Sequence, residues 1–500
     1  MERYDYTKLT VEEMLKKLAR YPMEERLGSM FNHSLTFINN NYDVVKTNNI
    51  NEVQPWEMET FILLCIMANN NFTPNSFKSK QGNREKQTIL SNIRLEMEFW
   101  EEFNNEELSE VLIPAIANLE FPIQHFNFFY STYRYNYLFN IDEKLKLEFY
   151  NKYHLEYEDI VTFFFVLDII LRNSEYKSTT FNYLFKSYFK ICNIFVKNLE
   201  DIIEAQKIIA PNPKRYKYAF KLFTSYPFIF YDNCCYLSLP HNLITACTDS
   251  LLIRLTSEEK PNDELRKAFG TPFEKYVFKI LNDSEIYKYI IPETIYTNKG
   301  KKIKSSDVIF SDNTNIVFVD AKLSQTSVMV KNVDIEYIRK TTKQYAEGII
   351  QLHKRMNEYP HIFNPFEFTC NKDNIFGLLV VLEDSNLLRH NIYQEVFNTL
   401  NIDKESETAI YIKSHISICG INELEKLTFT GKSILPHLKQ RKESDSHFGY
   451  PIICSDIEEK QTTKHSIEIK KYKNKIVNNI KPYIENLIKN EYIKLKTPKA

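Results

Sequence analysis

Glycine and proline are scarce, with 9 and 18 in 500 residues. So few chain breakers predict long regular elements and few tight turns. A charge excess is also missing: 64 lysines and arginines face 65 acids, for a net charge of −1. No overall field draws the chain to a polyanion, so any nucleic-acid contact must come from local patches. Most of the charges read as solvated helix faces. The 8 cysteines include no CxxC pair, which argues against a zinc ribbon or finger. The adjacent Cys234 and Cys235 read as a buried thiol pair beside Tyr231 and Tyr236. The most apolar stretch, Val161 to Leu171, is shorter than the ~20 residues needed to span a bilayer. The amino-terminal MERYDYTKLTVEEM is charged and lacks the apolar core of a signal peptide. No membrane contact and a reducing cytoplasm are therefore expected.

Familiar catalytic motifs are missing as well. Gly431-Lys432-Ser433 has Lys426 where a phosphate loop needs glycine, and there is no GxSxG elbow or HExxH helix. The 11 histidines show no metal-ligand cluster; His33, His125 and His154 read as packing or surface residues.

What is present is a folded protein's composition. With 43% hydrophobic and 14% aromatic residues, burial can offset the entropy of ordering, which excludes global disorder. The chain exceeds the ~250–300 residues over which one core usually grows, so two or three domains are expected. Residues 1–255 read as α-helical. Thr10 and Glu13 suggest a capping box, and Tyr183, Phe185, Tyr188, Phe189, Ile191 and Phe195 recur at helical spacing. The density of Phe and Tyr reads as core, in preference to a base-stacking surface. At Thr256–Asp263 the chain turns polar and Pro261 interrupts any helix, which places a boundary there.

From residue 264 to 425 the pattern becomes α/β. A helix restarts with Thr271 as N-cap and Pro272 in its first turn. A strand (Ile286–Tyr296), a turn at Asn298-Lys299-Gly300, and strands Ser306–Phe310 and Ile316–Leu323 follow. Next come a helix (Asp334–Glu358), an apolar strand (Ile375–Leu382) that suits a position buried on both faces, a helix (Asn391–Leu400) and a strand (Ile416–Ile421). This order predicts a central mixed sheet flanked by helices. Residues 426–500 read as an extension ending in a lysine-rich amphipathic helix, Lys464–Lys496, exposed to solvent.

The chemistry concentrates in Ser306-Asp307-Val308-Ile309-Phe310 and Val317-Phe318-Val319-Asp320-Ala321-Lys322. An acid-x-base triplet alone means little, since chance gives roughly eight in this composition. This one ends an apolar strand, whose alternation puts Asp320 and Lys322 on one face. If the strands pair through the turn at Asp312-Asn313, Asp307 comes opposite the Asp320 region. Adjacent carboxylates with open space suit Mg²⁺, and a lysine beside them offsets their charge and can orient water or stabilise a phosphate.

This array resembles the active site of the PD-(D/E)XK nuclease superfamily, the restriction-endonuclease-like fold, over about 150 residues. Ser306 stands where that motif has proline, and Asp320 where it often has glutamate. The resemblance implies a third acid, Glu274, on the helix before the first strand, and a glutamine or lysine from the helix after the lysine strand: Gln344, then Lys340. It also implies Mg²⁺ (with Mn²⁺ as substitute) held by Glu274, Asp307 and Asp320, and nucleic acid as substrate, DNA more often than RNA. Val328–Lys331 and Arg339-Lys340 would supply a cationic rim. The helical half would then act as a sensor or targeting module, through a homo-oligomer or a partner protein. That architecture resembles bacterial nucleases used against phage. A second reading keeps the fold without turnover, as a nucleic-acid-binding or scaffold protein. A third is a helical interaction protein with an incidental sheet.

Overall fold

Strands that are apolar on both faces can lie only in a sheet covered on both sides. The computed structural model, which describes residues 8–39, 53–69, 75–95, 104, 128–173, 181–257, 262–323, 334–382, 389–443 and 462–489, contains such a sheet. Strands β1 (Val196–Asn198), β2 (Phe228–Tyr231) and β3 (Cys234–Leu237) form a small sheet in the otherwise helical first half. Strands β4 (Tyr289–Pro292), β7 (Val308–Ser311), β8 (Ile316–Lys322), β9 (Ile375–Val381) and β10 (Ile416–Gly420) form the central one, in the order β10-β9-β8-β7-β4. β5 (Ile295–Asn298) and β6 (Lys301–Lys304) stand apart as a two-stranded hairpin. In the central sheet β4, β7 and β8 run antiparallel in turn, and β8, β9 and β10 are parallel.

Six helices position this sheet: α1 (Phe128–Asn140), α2 (Tyr157–Asn173), α3 (Gly270–Asp283), α4 (Ile335–Glu358), α5 (Ile421–Thr430) and α6 (Lys464–Lys489). Strand alternation divides the sheet between two cores. On one face Val308, Phe310, Val317, Val319, Leu378 and Val380 meet Phe273, Tyr276, Val277 and Ile280 of α3. On the other, Ile309, Ile316, Phe318, Leu379 and Val381 meet Ile338, Tyr345, Ile349 and Leu352 of α4. Gly348 lets α4 lie close to β9, because a Cβ there would meet Leu379 at 2.9 Å. Each core continues into the helical half, through Phe139, Phe163 and Phe164 in the first and Phe61, Leu64 and Leu18 in the second.

Several expectations hold at the level of single residues. Thr10 and Glu13 form their capping box, with Glu13 N–H donating to Thr10 Oγ1 at 3.2 Å and Thr10 N–H to Glu13 Oε2 at 2.8 Å. Asp334 caps α4 through the N–H groups of Glu336 (3.0 Å) and Tyr337 (3.3 Å). The link between β7 and β8 is tied by Asp312 Oδ1, which accepts the N–H groups of Thr314 and Asn315 at 2.9 and 2.7 Å.

Others need correction. The small sheet interrupts the expected all-helical half; Asp232 and Asn233, both at positive φ, make the tight turn that pairs β2 with β3. Of the cysteine pair there, Cys235 is buried but Cys234 is half-buried. The α3 helix starts two residues early, with Phe269 rather than Thr271 at the cap position and no side-chain cap. The expected strand Ile286–Tyr296 is two strands, because Pro292 ends β4 and the chain turns away into the hairpin. The expected solvent-exposed terminal helix is instead packed on α1, α2, α3 and α5, burying Ile469, Tyr472, Ile476 and Leu487. Among the described residues no helix is long and apolar enough to cross a membrane.

Candidate active site at the ends of β7 and β8

The β7–β8 register pairs Ile309 with Phe318 and Val308 with Val319. One step further brings Asp307 opposite Asp320. The pairing is fixed at this last step by Asp307 itself, whose Oδ2 accepts the Ala321 N–H at 2.7 Å. Asp320 is 6% exposed and shares the α4 side of the sheet with Phe318 below it and Lys322 two residues beyond. A side chain too short to reach past its strand and a carboxylate facing it across the ladder leave both charges poorly hydrated.

The electrostatics follow from that placement. Burial first, and then repulsion from Asp320, pushes the Asp307 carboxyl up to about 7, against the opposing pull of the Ala321 N–H and Lys322. Burial also raises Asp320, with Lys322, Ser306 and Arg355 acting the other way. The Ser306 hydroxyl is 1% exposed and has no hydrogen bond of normal geometry, yet it lies near enough to Asp320 to favour its charged form. Glu274, on the first turns of α3, is half-buried and raised by burial; Lys322 and Lys304 lower it, Glu293 and Asp320 raise it. Glu274, Asp307, Asp320 and Lys322 therefore share one electrostatic neighbourhood.

Among the described residues no group of three or more His, Cys, Asp or Glu side chains is gathered closely enough to hold a metal ion. Asp307 and Asp320 form a pair, with Glu274 beside it. A pair is what Mg²⁺ commonly uses, since it keeps several waters and takes one or two carboxylates. Two facing carboxyls whose ionised forms are disfavoured for want of a counter-charge fit such an ion.

Gln344 lies on the solvent side of α4, exposed between the buried Ile338 and Tyr345, and makes no hydrogen bond with the acid pair among the described residues. Lys340 is exposed as well. Val328–Lys331 lie outside the described residues. One residue that the sequence pattern did not single out borders the site. Lys304, on β6, bridges Glu293 at 3.0 Å and feels Glu274 and Asp307. Its signal was the lysine-rich run Lys301-Lys302-Ile303-Lys304 just before Asp307.

Compared with models of known protein families, with curated proteins and with solved structures, the chain has no match.

Proposed function

We propose that residues 264–425 form a metal-dependent nuclease that hydrolyses phosphodiester bonds of nucleic acid, DNA in preference to RNA. The observation that carries this reading is the facing of Asp307 and Asp320 across the last step of the β7–β8 ladder, with Lys322 on the same strand. Helix glutamate, strand aspartate, hairpin and strand acid-x-lysine follow one another in the order that the PD-(D/E)XK resemblance implies. Asp307 and Asp320 would hold Mg²⁺ or Mn²⁺, with Glu274 in reach of its bound waters. Such an ion lowers the pKa of a bound water and neutralises charge on the scissile phosphate. Lys322 would balance the acids and steady the attacking oxygen. Gln344 keeps only a role toward a substrate phosphate, reached from the exposed side of α4. The helical half is read as a sensor or targeting module, in keeping with a restrained defence nuclease.

A second reading is the same fold without turnover. Incubation with plasmid and single-stranded substrates separates the two. With Mg²⁺ or Mn²⁺ the protein should cut, and with EDTA it should not. Asp320→Ala and Lys322→Ala should each lower the rate by about 10²–10³ while the melting curve stays near the parent's. Undiminished cutting by both variants would mean that the site is misassigned; no cutting by the parent with either metal would favour the second reading.

A further inference from the structure

The β5–β6 hairpin carries Lys299, Lys301, Lys302 and Lys304 within ten residues and no acid, in a chain whose net charge is −1. Its register pairs Ile295 with Lys304 and Thr297 with Lys302, so these four share its outer face, and all four are exposed, Ile295 by 65%. The inner face is clamped. Tyr296 donates its hydroxyl proton to Glu358 at the end of α4 and stacks on Phe363 with ring centres 4.5 Å apart. Arg355 Nη1 donates to both the Tyr296 hydroxyl and Glu358 Oε2 at 3.0 Å. Among the described residues no acid pairs with Lys299, Lys301 or Lys302.

Place matters as much as charge. Only Ser305 and Ser306 separate Lys304 from Asp307. Four residues of strand reach ~13 Å, the rise of about four nucleotides along a duplex. The hairpin is thus a short cationic arm held rigidly beside the acid pair. Lysines on an exposed edge also discourage pairing with other chains, but that role requires no clamp to α4. Because the arm is fixed before any ligand arrives, little ordering entropy opposes binding.

We propose that the exposed lysines of the β5–β6 hairpin, Lys302 on its outer face with Lys299 and Lys301 at its tip, bind the phosphate backbone of a nucleic-acid strand and feed that strand to the Asp307–Asp320 pair; the second half of this statement rests on the nuclease reading of that pair. Lysine contacts of this kind are sequence-independent and salt-sensitive, so the hairpin contributes affinity and not base preference.

The test uses the full chain in EDTA with a labelled duplex and a labelled single strand, titrated over a range of salt. Combined Lys299→Gln, Lys301→Gln and Lys302→Gln should weaken duplex binding at least ~10-fold and lower the slope of log affinity against log salt by about 2–3, at ~0.9 per lost phosphate contact. Arginine at the same three positions should restore both. With metal, the Gln variant should hydrolyse bis(p-nitrophenyl) phosphate, too small to touch the arm, at the parent's rate. Unchanged affinity and slope in a Gln variant with the parent's melting curve would overturn the inference, as would a parent that binds anionic lipid vesicles or an acidic polypeptide but neither nucleic acid. Hairpin-dependent binding without metal-dependent cutting would sink the nuclease reading and leave the arm. Cutting with hairpin-independent binding would do the reverse.

Discussion

Asp307 carries a cost that the folded protein bears. Its carboxyl titrates near 7 in the folded chain, while an unfolded aspartate titrates near ~3.9. The folded state therefore holds a proton that the unfolded state has already lost over that interval. Stability from this group is fully present below about pH 4 and is lost as pH rises through about 7. Asp307→Asn keeps an oxygen for the Ala321 N–H and removes the charge. In urea unfolding with EDTA, the variant should gain on the parent by roughly 2 kcal/mol between about pH 5 and about pH 8, after allowance for partial exposure. A gain of the same size at both pH values would show that Asp307 is not strained by charge. Asp307, Asp320 and Lys322 were legible because each sits at a strand end, where one polar side chain in an apolar run stands out. Lys304 was not, since a lysine looks the same in sequence whether it borders a cleft or faces water.

At the level of elements, α3 is held to the rest of the molecule by a buried polar junction. Tyr276 donates to Glu425 Oε1 on α5 at 2.7 Å, and Arg134 Nη1 on α1 donates to Glu425 Oε2 at 3.0 Å and to Asn422 Oδ1 at 2.9 Å. Arg134, Glu425 and Tyr276 are each at most 1% exposed. Removing one partner strands the other charge in the core. Arg134→Met should cost about 3–5 kcal/mol by chemical unfolding, whereas the double change with Glu425→Leu should recover most of that loss. Additive losses would mean that the pair is not coupled. Sequence reading found the elements of the central sheet wherever one signal dominated: full burial in Ile375–Val381, helical period plus an aspartate cap in Ile335–Glu358. It missed elements where signals were weak or local. Glu407–His415 is a short helix whose apolar residues make no clear stripe, and the four-residue strands β2 and β3 owe their pairing to the turn at Asp232-Asn233. Nothing in the lysines of α6 tells that its other side is buried against α1 and α2.

For the whole molecule, the expected boundary near residue 260 marks a change in secondary structure, yet both cores run across it. The α3 helix uses one side for the sheet and another for α1 and α6, where Tyr133 donates to Glu468, which Lys279 also reaches at the same point. A polypeptide of residues 264–425 alone would expose the side of Tyr276 that packs on Tyr133 and Tyr137 of α1, at ~25 cal/mol for each Å² of apolar surface. Calorimetry should show no cooperative transition for it, against a single cooperative one for the full chain; a cooperative melt of the fragment would make the two halves independent. The catalytic reading of 264–425 thus depends on side chains far outside it, which no scan for local motifs can register. One consequence concerns synthesis. A ribosome produces α1, α2 and α3 long before α6, the helix that covers all three, and chains fold from the amino terminus as they emerge. Until residues 464–489 have been made, these helices lack the partner that buries Ile469, Tyr472 and Ile476 among them, so this side of the core closes last.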